Sequence, residues 1–321
     1  MNTLTIKKSR TTLVYALGMA LLCGAARAEE PVGVEAEGAD DESALEFGVD
    51  FDWFTAYVWR NAVQNDQMVL QPGVWADFTF ADSFSIGGSV WQNYDVTSRR
   101  REAYRTGLNE TDFNLHLGWA AWTSEDEECA LTFEFGHEWY LYHNVRGGED
   151  YAKADYPNTR EIYVKAEFEN PFVNIYGQAS WMYENFGAYK QGMHYETGLT
   201  KEIEFADGWT LGADWNINFG DGHYLQFLYG DVNYRYDAVT NEEYSDGPKG
   251  GIGGTTVKGY LAWQITSWLS LKGMVGYTAI LHNRLRGEMR NLSGDYWFCG
   301  EEDAAYPRDL VWGGLSLNME F

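Results

Sequence analysis

Residues 46–60 read EFGVDFDWFTAYVWR. The odd positions, Phe47, Val49, Phe51, Trp53, Thr55, Tyr57 and Trp59, form a greasy series. The even positions, Glu46, Gly48, Asp50, Asp52, Phe54, Ala56, Val58 and Arg60, are mostly polar or small. A strand shows successive side chains to opposite faces. This segment therefore asks for lipid on one side and water or polar groups on the other.

The same period of two returns along the chain. Phe113, Leu115, Leu117 and Trp119 alternate with Asp112, Asn114, His116 and Gly118. Further runs cover 131–136, 209–219, 257–265 and 269–281. Between them, connections alternate between short and long. Short ones fall near Ala81–Ser83, Ser124–Glu127, Glu169–Pro171, Ala206–Gly208 and Thr266–Ser267. Long ones cover roughly 61–66, 96–110, 143–158, 185–191, 220–254 and 283–307. Short periplasmic turns and longer outer loops mark bacterial outer-membrane barrels, whose strand number is even. The fold class expected is therefore all-β, a transmembrane up-and-down antiparallel barrel. The count is twelve strands, or fourteen if Tyr224–Tyr236 supplies two more. A hairpin inside the fifth outer loop keeps the alternation of turn and loop, and is the preferred reading.

The chain ends GLSLNMEF, with Leu317, Met319 and Phe321 at every second place. That pattern resembles the C-terminal signal by which such barrels are recognised for insertion, so these three residues are the expected assembly signal. The bulk numbers agree. Aromatics make up 17% of the 321 residues while mean hydropathy is only −0.42, which suits alternating strands better than buried helices. A net charge of −25 argues against nucleic acid as a partner, because phosphates would be repelled.

Lys7, Lys8 and Arg10, then the apolar run Leu13 to Cys23, then Ala26-Arg27-Ala28, have the order of a secretory signal peptide. The run is too short for a transmembrane anchor, which needs about 20 apolar residues. Residues 1–28 are thus read as a cleaved signal, 29–44 as a flexible acidic periplasmic lead-in, and 45–321 as the barrel. Mass spectrometry of the membrane form should find Glu29 first; retention of 1–28 would overturn the export reading. Of three cysteines, Cys23 leaves with the signal, and Cys129 and Cys299 make no disulfide framework.

Phe54 to Asn61 (FTAYVWRN), then Gln71-Pro72, Val74-Trp75-Ala76-Asp77 and Trp91-Gln92-Asn93-Tyr94-Asp95, resemble the TorF-like family of bacterial outer-membrane porins. Those relatives carry Y-x-W/F-R-G at the end of the first strand and Q-P opening the second. The close similarity covers residues 50–95. Asn61 stands where the relatives carry Gly, a departure at the tight turn after Arg60. The resemblance implies location and fold rather than substrate.

Polar-face positions are the expected lumen. The acids are Asp50, Asp52, Asp77, Asp112, Glu134, Glu138, Glu167, Glu184, Glu196, Asp214 and Glu320. The bases are Arg60, Lys165, Lys258 and Lys272. Even with every base paired, seven carboxylates would remain. Uncompensated carboxylates in a dry interior are costly, which points to water in the lumen. The other reading is pairing inside a barrel filled by side chains. Arg60, placed near the outer rim of strand one, could bind an anionic group of a solute or pair with a neighbouring carboxylate. Two basic clusters, Arg99-Arg100-Arg101 with Arg105, and Arg284, Arg286, Arg290, fall in outer loops, where lipopolysaccharide phosphates could be partners.

None of the six histidines forms H-E-x-x-H, and Gly250–Gly254 lacks the Lys-Ser/Thr of a phosphate loop, so it reads as a flexible loop. No catalytic residue, metal or cofactor is expected. The expected partners are outer-membrane lipids and lipopolysaccharide, the insertion machinery and small hydrophilic solutes. The leading function is passive diffusion of such solutes, with weak cation selectivity. The rivals are a closed structural or adhesion barrel acting through its loops, and a barrel hydrolase.

Overall fold

The alternating segments pair in chain order and close on themselves. The computed structural model describes residues 44–80, 83–96, 107–143, 158–184, 191–229, 234–237, 242–245, 250–281 and 309–321. The strands are β1 (Ala44–Phe54), β2 (Tyr57–Trp59), β3 (Ala62–Asn65), β4 (Val69–Phe80), β5 (Phe84–Asp95), β6 (Gly107–Thr123), β7 (Ala130–Tyr142), β8 (Asn158–Glu169), β9 (Asn174–Glu184), β10 (Gly192–Ala206), β11 (Trp209–Gly220), β12 (Tyr234–Asp237), β13 (Glu242–Ser245), β14 (Gly251–Thr266), β15 (Leu269–Ile280) and β16 (Asp309–Glu320). Among the described residues one helix, α1 (Gly222–Tyr229), follows β11. The wall is β1, β4 to β11 and β14 to β16, a closed antiparallel barrel of twelve strands. The shortest wall strands have 11 residues, enough for a tilted span, which needs about 9–11.

The register fixes the faces. Phe51 pairs with Leu317 and Pro72, and Trp215 with Leu199 and Val257, all on the outside. Phe51, Leu115, Phe135, Leu211 and Val275 are between 42% and 62% exposed there. Apolar surface on that scale is stable only against lipid or another protein. Inward positions are polar and buried, as at Ser180, Asn218, Thr256 and Thr278.

At the short-turn end the outward aromatics stack into a belt. Phe78, Phe80, Phe84, Trp119 and Phe133 follow one another at 5.7–6.3 Å, and Trp209 stacks on Trp263 at 5.5 Å. Such girdles sit at a membrane–water interface. Phe321 joins the belt at the seam between Phe47 (5.2 Å) and Trp268 (5.9 Å). Its backbone exchanges hydrogen bonds of 2.9 and 3.2 Å with Phe47. Deleting Phe321 removes both stacks and both bonds from the closing pair of strands. Heat-modifiable folded protein should fall severalfold; unchanged assembly would show that the last residue contributes little.

Three expectations change. Residues 46–60 are not one strand: β1 stops at Phe54, and the chain bends inward at Thr55-Ala56 into the β2–β3 hairpin. Tyr57 and Trp59, assigned to lipid, lie inside the barrel, and 61–66 is no outer loop. Alternation reports two unlike faces, not which of them meets lipid, so an apolar hairpin packed into a lumen reads like a wall strand. Within Tyr224–Tyr236 the first half is α1, and the hairpin forms later, between β12 and β13. Gly251–Gly254 opens β14 instead of looping, paired to Gly220 and Ile280. Residues 1–43, the two arginine clusters and Cys299 lie outside the described residues.

Candidate functional site

The β2–β3 hairpin turns through Arg60 and Asn61 alone, with Trp59 paired to Ala62. Both turn residues have positive φ, 48° and 64°. A two-residue turn with both φ positive matches the twist of its strands. Asparagine enters the left-handed region more easily than most residues, so Asn61 suits the second place of this turn. Arginine does so at a cost of order 1–3 kcal/mol, which persists only where the surroundings impose it.

Those surroundings span the lumen. The Arg60 guanidinium forms a two-pronged pair with Glu161 on β8, its Nη1 donating to Oε2 at 2.8 Å and its Nη2 to Oε1. It also lies 3.4 Å from the hydroxyls of Tyr140 and Tyr224 and over the Trp59 ring at 4.7 Å. The Arg60 carbonyl accepts from Asn218 Nδ2 at 2.5 Å, and Asn61 Nδ2 donates to the Gly254 carbonyl at 3.2 Å. Gly254 in turn donates to Asn218 Oδ1 at 2.5 Å. A side chain at Gly254 would strike Asn61, so the glycine allows the close approach of the hairpin. Behind the tip, Ala62, Met182, Tyr224, Leu225, Leu228 and Ile280 pack together, joined by Trp59. The hairpin and α1 thus occupy the long-loop end of the lumen.

Arg60 faces a crowd of carboxylates. Glu138 sits directly across from Glu161 and contacts it. Asp112 and Glu110 lie on the same face of β6, and Tyr57 of the hairpin hydrogen-bonds Glu110. Like charges facing across two strands repel, so the guanidinium is the counter-charge that lets these strands carry them.

Most of the other sequence-predicted residues lie on the inner wall with partners; Asp112 keeps an oxygen without one among the described residues, and Glu320 is exposed at the end of β16. Asp50 accepts from Asn318 Nδ2 at 2.6 Å and Asp52 from the Ser316 hydroxyl. Asp77 pairs with His116 at 2.7 Å. Glu134 accepts from Tyr163 at 2.6 Å, Glu138 from Tyr140 and from Asn114 at 3.3 Å, and Glu196 from Tyr176 at 3.0 Å. Asp214 pairs with Lys258 at 2.7 Å and Lys165 with Glu167 at 2.9 Å; Lys272 lies over the Tyr260 ring at 4.8 Å. Counting only lysine and arginine therefore overstated the uncompensated acids: tyrosine, asparagine, serine and histidine satisfy many of them. Glu184 departs from expectation. A register shift at Arg160/Glu161 sets it beside Arg160 at 3.1 Å, with both side chains more than a third exposed. Among the described residues no group of three or more His, Cys, Asp or Glu is placed to hold a metal ion.

No model of a known protein family matches the chain, and no curated protein matches it. Solved structures do. The barrel is similar to an outer membrane channel from Pseudomonas putida F1, at 12% identity and a TM-score of 0.46, over 90% of this chain and all of that one. It is similar to the KdgM porin at 8% identity and 0.39, over 85% and 99%. It is also similar to outer membrane phospholipase A from Escherichia coli at 10% and 0.42, over 85% and 92%. At such identities and TM-scores these likenesses do not choose a function.

Several residues of the site were absent from the sequence reading. Glu161 alternates with Ile162, Val164 and Phe168, so the period-two signal was present in 160–168. Glu110 and Tyr140 extend runs already recognised. Asn218 stands on the polar face of the run 209–219, but nothing local tells that it meets the hairpin, and Tyr224 on a loop helix carries no period-two signal.

Proposed function

We propose that the protein is an outer-membrane channel for passive diffusion of small hydrophilic solutes, weakly selective for cations. The observation that carries this reading is the inner wall. Outside the apolar cluster around the hairpin and α1 its buried positions are largely polar, and beneath the hairpin it borders a cavity of about 320 Å³ whose lining includes Arg60, Glu138, Glu196 and Lys258. A structural barrel could fill that space with apolar side chains at less cost than with charges. The acidic excess supports cation preference, since a ring of one sign concentrates counter-ions. The outward apolar wall and the aromatic belt, which Phe321 joins, support the location.

The test is conductance in planar bilayers, with the reversal potential across a potassium chloride gradient. The intact protein should conduct and lean toward potassium. Changing Glu134, Glu138 and Asp214 to amides should move the reversal potential toward zero. An anion preference would mean that Arg60 outweighs the acids. One observation favours a second reading: the hairpin and α1 occupy one end of the lumen. Absence of any conductance would select the closed structural barrel.

A further inference from the structure

The cavity beneath the hairpin has room for about ten waters at about 30 Å³ each. It falls at the lower end of the about 300–1,000 Å³ range of small-molecule sites. Its ceiling is the hairpin tip, and its walls come from β7, β9, β10, β11, β14 and β16. The cationic groups on that lining are already held, Arg60 by Glu161 and Lys258 by Asp214. The acceptors are not all used. Glu196 receives the Tyr176 hydroxyl at Oε1. Asn216 hydrogen-bonds the same Tyr176 through its side chain, while its Oδ1 has no partner among the described residues.

His194 adds an independent sign. It lies two residues from Glu196 on the inward face of β10, lines the cavity and is 1% exposed, and neither ring nitrogen has a partner among the described residues. A buried polar side chain without a partner is costly unless something supplies the bond. A neutral imidazole offers one acceptor nitrogen and one donor. The spare capacity of this wall is thus mostly for accepting hydrogen bonds, beside the carboxylates Glu138 and Glu196, while the two cations of the lining are paired with Glu161 and Asp214.

We infer that this cavity is a binding subsite for small solutes carrying a primary ammonium group, which is held by Glu196, Asn216 and His194. An ammonium has three donors and no acceptor, the complement of that wall. An anion would meet Glu138 and Glu196 while Arg60 and Lys258 are engaged. A neutral polyol could donate to the same atoms but gains no charge–charge attraction. The inference deepens the channel reading, since a subsite in the lumen is where a permeating solute pauses.

The experiment compares three four-carbon probes of matched length, 1,4-diaminobutane, 1,4-butanediol and succinate, by calorimetry on the folded full chain in detergent micelles. The diamine should bind at least tenfold more tightly than the diol, and succinate should not bind. Glu196→Gln should reduce diamine affinity about tenfold and diol affinity by a much smaller factor, because only the diamine loses a charge–charge attraction. The wild-type series needs no variant, so a folding defect in Glu196→Gln does not spoil the test. Equal binding of diol and diamine, a preference for succinate, or no binding of any probe overturns the subsite. Conductance of the same preparation keeps the two readings apart: a conducting barrel that ignores the diamine loses the subsite alone, and a silent barrel that binds it loses the channel alone.

Discussion

Replacing Arg60 with methionine should destabilise the folded barrel by about 3–5 kcal/mol, the usual range when one partner of a buried ion pair is removed. The substitution leaves Glu161, fully buried, facing Glu138 across β7 and β8 with no cation between them. It also removes the contacts that justify a left-handed backbone at position 60. The hairpin should then leave the lumen more often, and the mean conductance should rise severalfold. Urea unfolding of the protein in micelles reads the first effect and planar bilayers the second. The double variant Arg60→Met with Glu161→Gln should recover a large part of the stability, because the uncompensated charge leaves with its partner. An unchanged unfolding midpoint for the single variant would show that the pair does not hold the hairpin.

The second large effect concerns the wall. Trp215 lies near the middle of β11, faces outward at 39% exposure and donates from Nε1 to the Thr255 hydroxyl at 3.0 Å. Arginine there would place a charge in the lipid, at about 2–4 kcal/mol near the midplane. Asp214→Arg, one residue away, loses the bond to Lys258 and sets two cations together, yet keeps the new charge among polar groups. Trp215→Arg should therefore reduce folded protein more than Asp214→Arg, as read by heat-modifiable mobility. The reverse order would mean that the faces of β11 are exchanged, as a one-residue slip would do.

The barrel was legible because its signal is redundant. Twelve strands each repeat the same alternation, and the short turns and the terminal Phe321 agree with it. The site was less legible for a physical reason. Glu161, Asn218 and Gly254 lie 101 to 193 positions from the turn residues that they touch. Alternation places a residue on a face but says nothing of what crosses the lumen to meet it. Arg60 was recognised as an inward cation with a carboxylate partner as one of two readings, but its place on a tucked hairpin was not, since Tyr57 and Trp59 continue the pattern of β1 unbroken. The neutral partners were overlooked for a related reason. An excess of acids is visible in composition, whereas a tyrosine or asparagine two strands away that satisfies one of them is visible only in the register.

The hairpin hangs from β1, the strand that closes the seam with β16, and it is fastened to β8, β11 and β14 on other parts of the wall. The two edges of one seam are therefore unequal under load. A single molecule drawn out by its C-terminus would peel β16 away without straining the tip at Arg60. Drawn by its N-terminus, β1 would come free only as far as the hairpin, where the force would meet a brace bolted across the bore. Rupture forces from the two directions should differ, with the N-terminal pull showing an additional late peak.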